Sequence, residues 1–223
     1  MANLLNGKVA LVTAGSAGLG AAVARALASE SMRIVINYSA NHDRANGLLE
    51  SLSDEFSNRP FNATGKRFFA IQADLEKKAD IVGLVDETVK AMDRRIVHHH
   101  GFFSRCQAKW KFPRETLIYT VVVLSSLISF YQAYAVTKAA QIHLVKSLAT
   151  IVSPRIRVNS VAPAILLTDW GRQFSEEKLA AATEKTQLKR LPTVEDVADQ
   201  IVLFAKSRSV TGTNAVIDCG FSL

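Results

Sequence analysis

The sequence predicts an α/β protein whose centre is a doubly wound, parallel β-sheet. Three observations support this fold class. Short apolar runs alternate with amphipathic segments, a glycine-rich turn follows the first apolar run, and polar turns follow the next two runs. Near-continuous apolar strands that alternate with helices indicate a parallel sheet covered by helices on both faces, with right-handed crossovers.

The first half of the chain repeats the order strand, turn, helix. Glycine or polar residues end each apolar run, and an alanine-rich or amphipathic segment follows it. The predicted strands and helices are, in chain order, Val9–Val12, Gly18–Glu30, Arg33–Asn37, Ala45–Leu52, Arg67–Gln72 and Ile81–Met92.

The alternation is lost after Met92 and returns later in the chain. No clear period runs from Asp93 to Pro113. The last predicted helix begins at Thr193, with Asp196 at the acceptor position of a capping box. The other elements predicted beyond the gap are the strands Thr116–Ser126, Arg155–Val161 and Thr213–Asp218 and the helices Ala133–Ile151 and Glu176–Lys185.

Length and composition are those of one globular domain, which we place at 1–223. The 223 residues include 48% hydrophobic and 21% charged residues, enough to bury a sizeable core. The amino terminus lacks the features of a secretory signal, and the apolar run Leu117–Phe130 is too short and too polar for a membrane span. Cys106 and Cys219 lie far apart without metal-ligand spacing, which fits a reducing compartment. We therefore expect a cytoplasmic protein without a membrane partner.

The net charge of +7 is concentrated in one short stretch. Six basic residues and no acidic residue lie between Arg94 and Arg114, and His98, His99 and His100 fall in the same stretch. Three adjacent histidines do not converge on one ion without loop folding, so we expect no metal site. Because the rest of the chain is close to neutral, the charge is a weak argument for nucleic-acid binding, and we expect none.

The glycine-rich turn Thr13–Gly20 lies between a predicted strand and a predicted helix. Glycine at positions 15, 18 and 20 allows the backbone to approach a pyrophosphate closely, and the helix amino terminus supplies N–H groups to the anion. A turn of this kind can also be only a tight connection. Its place between strand and helix favours dinucleotide binding.

The end of the second strand favours NADP(H) over NAD(H). A carboxylate at this position would bind the ribose 2′-hydroxyl of NAD, whereas a 2′-phosphate needs neutral or basic groups. The residues here are Asn37, Tyr38 and Ser39, with Arg44 slightly beyond. Arg44 could equally be a solvated helix residue, so the missing acid is the better evidence.

Tyr134 and Lys138 are four residues apart on a predicted helix and therefore share one face. A free tyrosine has a pKa near ~10, and a neighbouring cation makes proton exchange by the phenol easier. Ser125, Ser126 or Ser129 could supply a hydroxyl that polarises a substrate carbonyl. A Tyr and a Lys at this spacing can also be mere surface neighbours, so the glycine-rich turn upstream decides the interpretation.

Together these residue sets resemble the short-chain dehydrogenase/reductase family, which has a Rossmann-like fold. Thr13–Gly20 is similar to the TGxxxGxG turn of the family, with Ala14 in place of its first glycine, and Tyr134 and Lys138 match its YxxxK pair. Ala73–Leu75 and Arg157–Thr168 also resemble family segments, the latter with Ala164 in place of a glycine. The resemblance covers Leu5 to about Met92 and Tyr134 to the end.

The resemblance implies a role for each matching residue. Tyr134 would donate the proton, Lys138 would hold the nicotinamide ribose and lower the pKa of Tyr134, and Ser126 is carried over as the assisting hydroxyl. Asp74 would contact adenine, and Leu166 and Thr168 would meet the nicotinamide carboxamide. The complete predicted cofactor-binding set is Gly15, Ser16, Gly18, Leu19, Gly20, Asn37, Ser39, Asp74, Tyr134, Lys138, Leu166 and Thr168.

The resemblance is lost over about residues 93–130. The family strand that ends in Asn-Asn-Ala-Gly and the long helix after it are not recognisable, and the chain is too short to hold both. We therefore expect a sheet in which one central strand and its helix are missing or altered. A true truncation and a reading-frame error are both compatible with this stretch.

The leading interpretation is an NADP(H)-dependent oxidoreductase that transfers hydride between the nicotinamide and a carbonyl or secondary alcohol. The alternative is a catalytically impaired remnant that still binds the nucleotide. A third interpretation, binding of nucleic acid or anionic surfaces through Arg94–Arg114, is the least favoured. The expected partner is a small-molecule carbonyl or alcohol, covered by the region Asp169–Leu191 with Trp170 and Phe174, and homo-oligomer formation is left open.

Overall fold

A parallel β-sheet forms the centre of the structure. The computed structural model describes residues 4–61, 65–92, 96–100, 116–121 and 132–223. Within these ranges seven strands pair in the order β3-β2-β1-β4-β5-β6-β7, and each neighbouring pair is parallel. The strands are β1 (Val9–Val12), β2 (Arg33–Tyr38), β3 (Phe68–Gln72), β4 (Ile96–His100), β5 (Thr116–Val121), β6 (Ile156–Pro163) and β7 (Asn214–Ile217).

Along the chain, the helices of the described ranges connect these strands. The connection from β1 leads outward to β2 and β3, and the chain then crosses to β4 on the other side of β1. The point where the strand order reverses therefore lies between β1 and β4, and ligands of such sheets bind at the carboxyl ends of the strands there. The helices are α1 (Gly18–Ser29), α2 (His42–Phe56), α3 (Lys78–Met92), α4 (Gln132–Val152), α5 (Glu176–Lys185) and α6 (Val194–Lys206).

Alternate residues of the strands build a core on each face of the sheet. Ala10 and Val12 pack with residues of α1, α2 and α6, and we call this cluster the α1 core. Val9 and Leu11 point the other way and pack with residues of α3, which we call the α3 core. Since successive side chains of a strand point to opposite faces, the apolar run of β1 serves both cores. The doubly wound α/β fold predicted from the sequence is confirmed.

A strand occupies the central position that the sequence analysis expected to be missing or altered. β4 pairs with β1 on one side, where Val12 lies opposite His99, and with β5 on the other. The strand is therefore present with an altered sequence. Three of its five residues are histidines, so it lacks the apolar pattern by which the other strands were recognised. The expected loss or alteration of the helix after this strand concerns residues 101–115, which lie outside the described residues.

Most boundaries of the predicted elements lie within one or two residues of those in the structure. α5 spans the residues predicted for it, and α6 begins behind the Thr193 cap with Asp196 completing the capping box. α2 is longer at both ends than the predicted Ala45–Leu52, because it begins at His42 behind the Asn41 cap and Phe56 extends its apolar face. The predicted strand Thr116–Ser126 is described as far as Val121.

None of the helices in the described ranges combines the length and the apolar character that crossing a membrane requires.

Candidate functional site

The glycine-rich turn lies at the carboxyl edge of the sheet, directly after β1. It leads into α1 at Gly18, and the preceding N-cap residue is Ala17, which has no side-chain oxygen. The N–H groups of the first turn of α1 are therefore not capped by their own N-cap side chain and point to where an anion can accept from them. The geometry fits the pyrophosphate of a dinucleotide.

Close backbone approach explains the glycines of this turn. A methyl group on Gly15 would lie 2.8 Å from Cβ of Ile36, and one on Gly20 would overlap the carbonyl oxygen of Ala14. Gly18 has a φ of 49°, in the left-handed region that favours glycine. Ser16 and Leu19 stand between the glycines with partly exposed side chains.

Ala14 also adopts the left-handed conformation, with a φ of 49°. This is the position at which the family pattern has its first glycine. An L-residue in this region costs roughly 1–2 kcal/mol. The turn therefore keeps the geometry of a glycine-rich loop although one of its residues is strained.

The side chain of Asn37 is hydrogen-bonded to the glycine-rich turn. Its Oδ1 accepts from the backbone N–H of Ala14 at 3.3 Å, and its Nδ2 donates to the carbonyl of Ala73 at 3.0 Å. The side chain also donates to the carbonyls of Tyr38 and Ile71, and the residue is only 2% exposed. The sequence analysis predicts that Asn37 contacts the ribose substituent, but its amide is hydrogen-bonded to the backbone of the glycine-rich turn, of β2, of β3 and of Ala73.

Ser39 and Asp74 lie just beyond the ends of β2 and β3. The residues that precede them are hydrogen-bonded to each other, since the N–H of Ala73 donates to the carbonyl of Tyr38 at 3.0 Å. Ser39 is exposed, and its carbonyl accepts from Nε2 of Gln72. The backbone N–H of Glu76 donates to Asp74 at 3.0 Å and, together with Lys77, lowers the pKa of the Asp74 carboxyl.

The segment after β6 reaches across the sheet to the glycine-rich turn. Leu166 is buried, and its carbonyl accepts from the N–H of Thr168 at 2.8 Å. A methyl group on Gly18 would lie 3.0 Å from Cγ2 of Thr168, so the two segments are in contact. Gly171 permits the fold-back into a short 3-10 turn, because a side chain there would overlap the carbonyl of Leu166.

A cavity of about 360 Å³ lies between these two segments. Of the predicted cofactor residues it brings together Gly18, Leu19, Gly20, Leu166 and Thr168. Its other lining residues in the described part of the chain are Ala14, Ala17, Ala164, Asp169 and Trp170. The cavity thus joins the turn after β1 to the segment after β6, as a site for an extended dinucleotide requires.

Tyr134 and Lys138 form a pair on α4. The Lys138 ammonium lies 5.1 Å from the centre of the Tyr134 ring and donates to Oε1 of Gln141 at 3.0 Å. Burial raises the pKa of the Tyr134 hydroxyl and lowers the pKa of Lys138. Burial is the cause of the raised Tyr134 pKa in this structure, and the lowering of that pKa by Lys138 stays a prediction.

Two parts of the predicted catalytic set are not found in the described lining of the cavity. Tyr134 and Lys138 are not among the described residues that line the cavity. Ser126, together with Ser125 and Ser129, lies in 122–131, outside the described residues. In the described part of the chain, the cavity thus brings together residues of the nucleotide end, and Tyr134 and Lys138 form a pair on α4.

The sequence analysis missed two contacts of this site. The first is the supporting role of Asn37, which depends on the pairing of three strands and has no local signal. The second is an ion pair of 2.8 Å between Arg44 and Asp169, which are 125 positions apart. A charge pair at such a separation cannot be found from sequence spacing.

Sequence models of known families match almost the whole chain. The model described as short chain dehydrogenase matches residues 8–97, and the model described as enoyl-(acyl carrier protein) reductase matches residues 96–222. The second match continues through the segment around residues 93–130, where the motifs gave no resemblance. The similarity is therefore more extensive than the motifs indicated.

Individual proteins are similar over the same length. The 3beta-hydroxysteroid dehydrogenase 1 of Eggerthella lenta is 28% identical, over 98% of this chain and 95% of that protein. The alignment of 257 residues is longer than the chain of 223, so that protein has residues without a counterpart here.

Solved structures share the fold. A short chain dehydrogenase from Burkholderia cenocepacia in complex with NADP has a TM-score of 0.82 at 24% identity, covering 98% of this chain and 99% of that chain. A 7 alpha-hydroxysteroid dehydrogenase complexed with NADH and 7-oxo glycochenodeoxycholic acid has a TM-score of 0.83 at 20% identity, covering 98% and 95%.

Proposed function

Because the chain belongs to the short-chain dehydrogenase/reductase family, we propose that it is an NADP(H)-dependent oxidoreductase of carbonyl compounds and secondary alcohols. The observation that carries the proposal is the cavity between the glycine-rich turn and the segment after β6. When bound there, the nicotinamide nucleotide would supply or accept the hydride.

The nucleotide end of the site supports NADP(H). β2 ends at Tyr38 and Ser39 follows it, and Arg44 stands in the first turn of α2. No carboxylate of β2 is placed to accept from a ribose 2′-hydroxyl, since β2 ends in Asn37 and Tyr38. A guanidinium at this end suits a 2′-phosphate, which it can bind through two parallel hydrogen bonds.

Tyr134 is proposed as the acid of the reaction. Its raised pKa keeps the phenol protonated at neutral pH, so in reduction it can donate a proton to the carbonyl oxygen. Lys138 lies against the same ring and stabilises negative charge that develops on the phenol as the proton leaves. Ser126 is proposed to assist by hydrogen bonding to the same carbonyl oxygen.

The substrate is proposed to be apolar and ring-containing. Trp170 is 53% exposed, lines the cavity, and packs edge-on against Phe174 with 5.0 Å between the ring centres. An exposed indole held by a second ring offers a flat apolar surface. The hydroxysteroid dehydrogenase from Eggerthella lenta suggests alicyclic ketones as the first compounds to test.

The test is the Tyr134→Phe variant. We expect turnover of cyclic and open-chain ketones to fall about 100-fold to 10,000-fold, because the proton donor is lost. We also expect NADPH to raise the unfolding temperature of the variant as it does that of the wild type, since the nucleotide end is unchanged. Absorbance of NADPH and thermal unfolding are the two measurements.

Thr150→Ala is the control on the same helix. It removes an exposed hydroxyl that donates to the carbonyl of Lys146 at 3.1 Å, far along α4 from Tyr134, and should leave kcat within a few-fold of wild type. Full turnover by Tyr134→Phe would contradict the proposed acid. A larger rise of the unfolding temperature with NADH than with NADPH would contradict the proposed cofactor.

A nucleotide-binding protein without turnover is the second candidate. It is favoured by one observation, namely that Tyr134 and Lys138 do not line the cavity in the described residues. This candidate predicts a clear NADPH-dependent rise of the unfolding temperature in the wild type together with no NADPH consumption for any ketone of the panel.

A further inference from the structure

Two segments that are far apart in the sheet are joined by one ion pair. Nη1 of Arg44 lies 2.8 Å from Oδ2 of Asp169, and we call this pair the Arg44–Asp169 clasp. Arg44 follows β2, and Asp169 follows β6. These strands are separated in the sheet by β1, β4 and β5, so the clasp spans the carboxyl edge.

The clasp adjoins the proposed nucleotide site. Asp169 follows Thr168, which touches Gly18, and both Asp169 and Trp170 line the cavity. On the other side, Asn41 caps α2 by accepting from the backbone N–H of Arg44, which fixes the base of the arginine at this end of the helix. The guanidinium therefore lies where the sequence analysis expects the 2′-substituent of the adenosine ribose.

Carboxylates and phosphates are alternative partners for one guanidinium, and a phosphate dianion carries more charge. The side chains of Arg44 and Asp169 are 49% and 72% exposed, so water screens their attraction and the pair is weak. A 2′-phosphate that approaches Arg44 can therefore displace the carboxylate. A nucleotide with a free 2′-hydroxyl cannot.

We propose that Asp169 is a specificity-determining residue that competes with the 2′-phosphate of NADP(H) for Arg44. The competition sets the affinity for the phosphorylated nucleotide and leaves the affinity for NAD(H) unchanged. When the phosphate takes Arg44, the segment that carries Asp169 and Trp170 is released from α2. This inference rests on the proposed NADP(H)-dependent function.

Adenosine nucleotides without nicotinamide test the competition at this end of the site alone. We would measure the dissociation constants of adenosine 2′,5′-bisphosphate and 5′-AMP for wild type, Asp169→Asn, Arg44→Gln and the double variant. Asp169→Asn should bind the bisphosphate up to about fivefold more tightly and 5′-AMP as the wild type does. In the Arg44→Gln background the same substitution should not change the affinity for the bisphosphate, because the guanidinium for which carboxylate and phosphate compete is absent.

Asp43→Asn is the charge control, since it removes one negative charge next to Arg44 without removing the clasp. Its effect on bisphosphate binding should be the same with and without Arg44. Trp170 gives a second readout in a Trp110→Phe background, because the chain has 2 tryptophans. Its fluorescence should change with the bisphosphate and not with 5′-AMP.

Two results would overturn the inference, and they are distinguishable. If the wild type prefers NADPH but Asp169→Asn binds both adenosine nucleotides as the wild type does, or gains equally in the Arg44→Gln background, the competition is absent and the proposed function stands. If the wild type shows no preference for NADPH over NADH, the proposed cofactor fails and this inference fails with it.

Discussion

At the scale of single residues, Asn37 and Ser39 show that two neighbouring polar positions can serve different purposes. Asn37 is buried, and its amide bonds to the backbone of the glycine-rich turn, of β3 and of Ala73. Ser39 is exposed beyond the end of β2. The sequence analysis treated both as ligands of the ribose substituent, because spacing alone does not show which residue points inward.

A carboxylate at each position should therefore have a different effect. Ser39→Asp places an acid where a ribose 2′-hydroxyl can donate to it, and should shift the preference from NADPH toward NADH with little change in stability. Asn37→Asp loses the donors to three carbonyls and buries a charge, and should lower the free energy of unfolding by at least about 2 kcal/mol. Nucleotide titrations and urea unfolding of both variants check this pair, and equal stability losses would contradict it.

Ala14 is a strained residue of the glycine-rich turn, with a φ of 49°. Ala14→Gly should raise the free energy of unfolding by roughly 0.5 to 1 kcal/mol, because relief of the left-handed strain exceeds the added entropy of the unfolded chain. The methyl group also lines the cavity, so nucleotide affinity should not fall. Ala40→Gly, at an exposed position outside the left-handed region, should lower stability slightly and serves as the control.

At the scale of elements, the start of α6 depends on one reciprocal cap. Thr193 accepts from the N–H of Asp196 at 3.1 Å, and Asp196 accepts from the N–H of Thr193 at 2.9 Å. Arg190 donates to the same carboxylate at 2.8 Å and, together with the Thr193 N–H, lowers the pKa of Asp196 below 3.8. The folded state therefore favours the ionised carboxylate of Asp196 over its protonated form.

Asp196→Asn should destabilise the protein at neutral pH and less so in acid. A depressed pKa means that the stabilisation is present above the unfolded pKa of about 3.8 and is lost as the pH falls through the lower folded value. The difference in urea midpoint between wild type and variant should therefore shrink below pH 4. Glu195→Gln, which removes a charge from the same turn but leaves the cap, should not show this pH dependence.

Local signals explain why most elements could be predicted and some could not. The capping residues around Thr193 and the apolar runs of β1 and β2 are short-range patterns, and the sequence predicts them well. β4 was not recognised, because its place depends on pairing with β1 and β5 and three of its five residues are histidines. Arg157 closes the carbonyl end of α6 by donating to Phe204 and Ala205, a contact across 47 and 48 positions that no local pattern reveals.

At the scale of the whole molecule, the sheet couples two cores through shared strands. Leu27 of the α1 core and Leu84 of the α3 core are both 2% exposed and lie on opposite faces. β1 and β2 contribute alternate residues to both cores. Truncation of a buried side chain on either face should therefore weaken strands on which the core of the other face also depends.

Leu27→Ala and Leu84→Ala should each lower the free energy of unfolding by about 2 to 5 kcal/mol, because each leaves a cavity in a closed core. Each variant should still unfold in one transition, with circular dichroism and tryptophan fluorescence giving the same midpoint. Two separate transitions in either variant would show that the faces unfold independently and would contradict a single domain.

The candidate site divides in the same way between what sequence can and cannot predict. The glycine-rich turn and the Tyr134–Lys138 pair are local motifs, and the sequence predicts their residues. The cavity depends on the segment after β6 crossing back to α1, which is fixed by the order of the strands and by Gly171. The contact of Arg44 with Asp169 follows from that crossing, and the contacts of Asn37 follow from the pairing of β1, β2 and β3. Neither could be derived from spacing.

The Arg44–Asp169 clasp also has a consequence for the order of events in turnover. In the proposed reaction, hydride transfer would change the nicotinamide ring and leave the 2′-phosphate as it was, so reduced and oxidised nucleotides would hold Arg44 equally well. The clasp would then re-form only after the whole nucleotide has departed. Closure of the ion pair would therefore mark the end of each cycle, and the speed of nucleotide departure would limit how soon the next one begins.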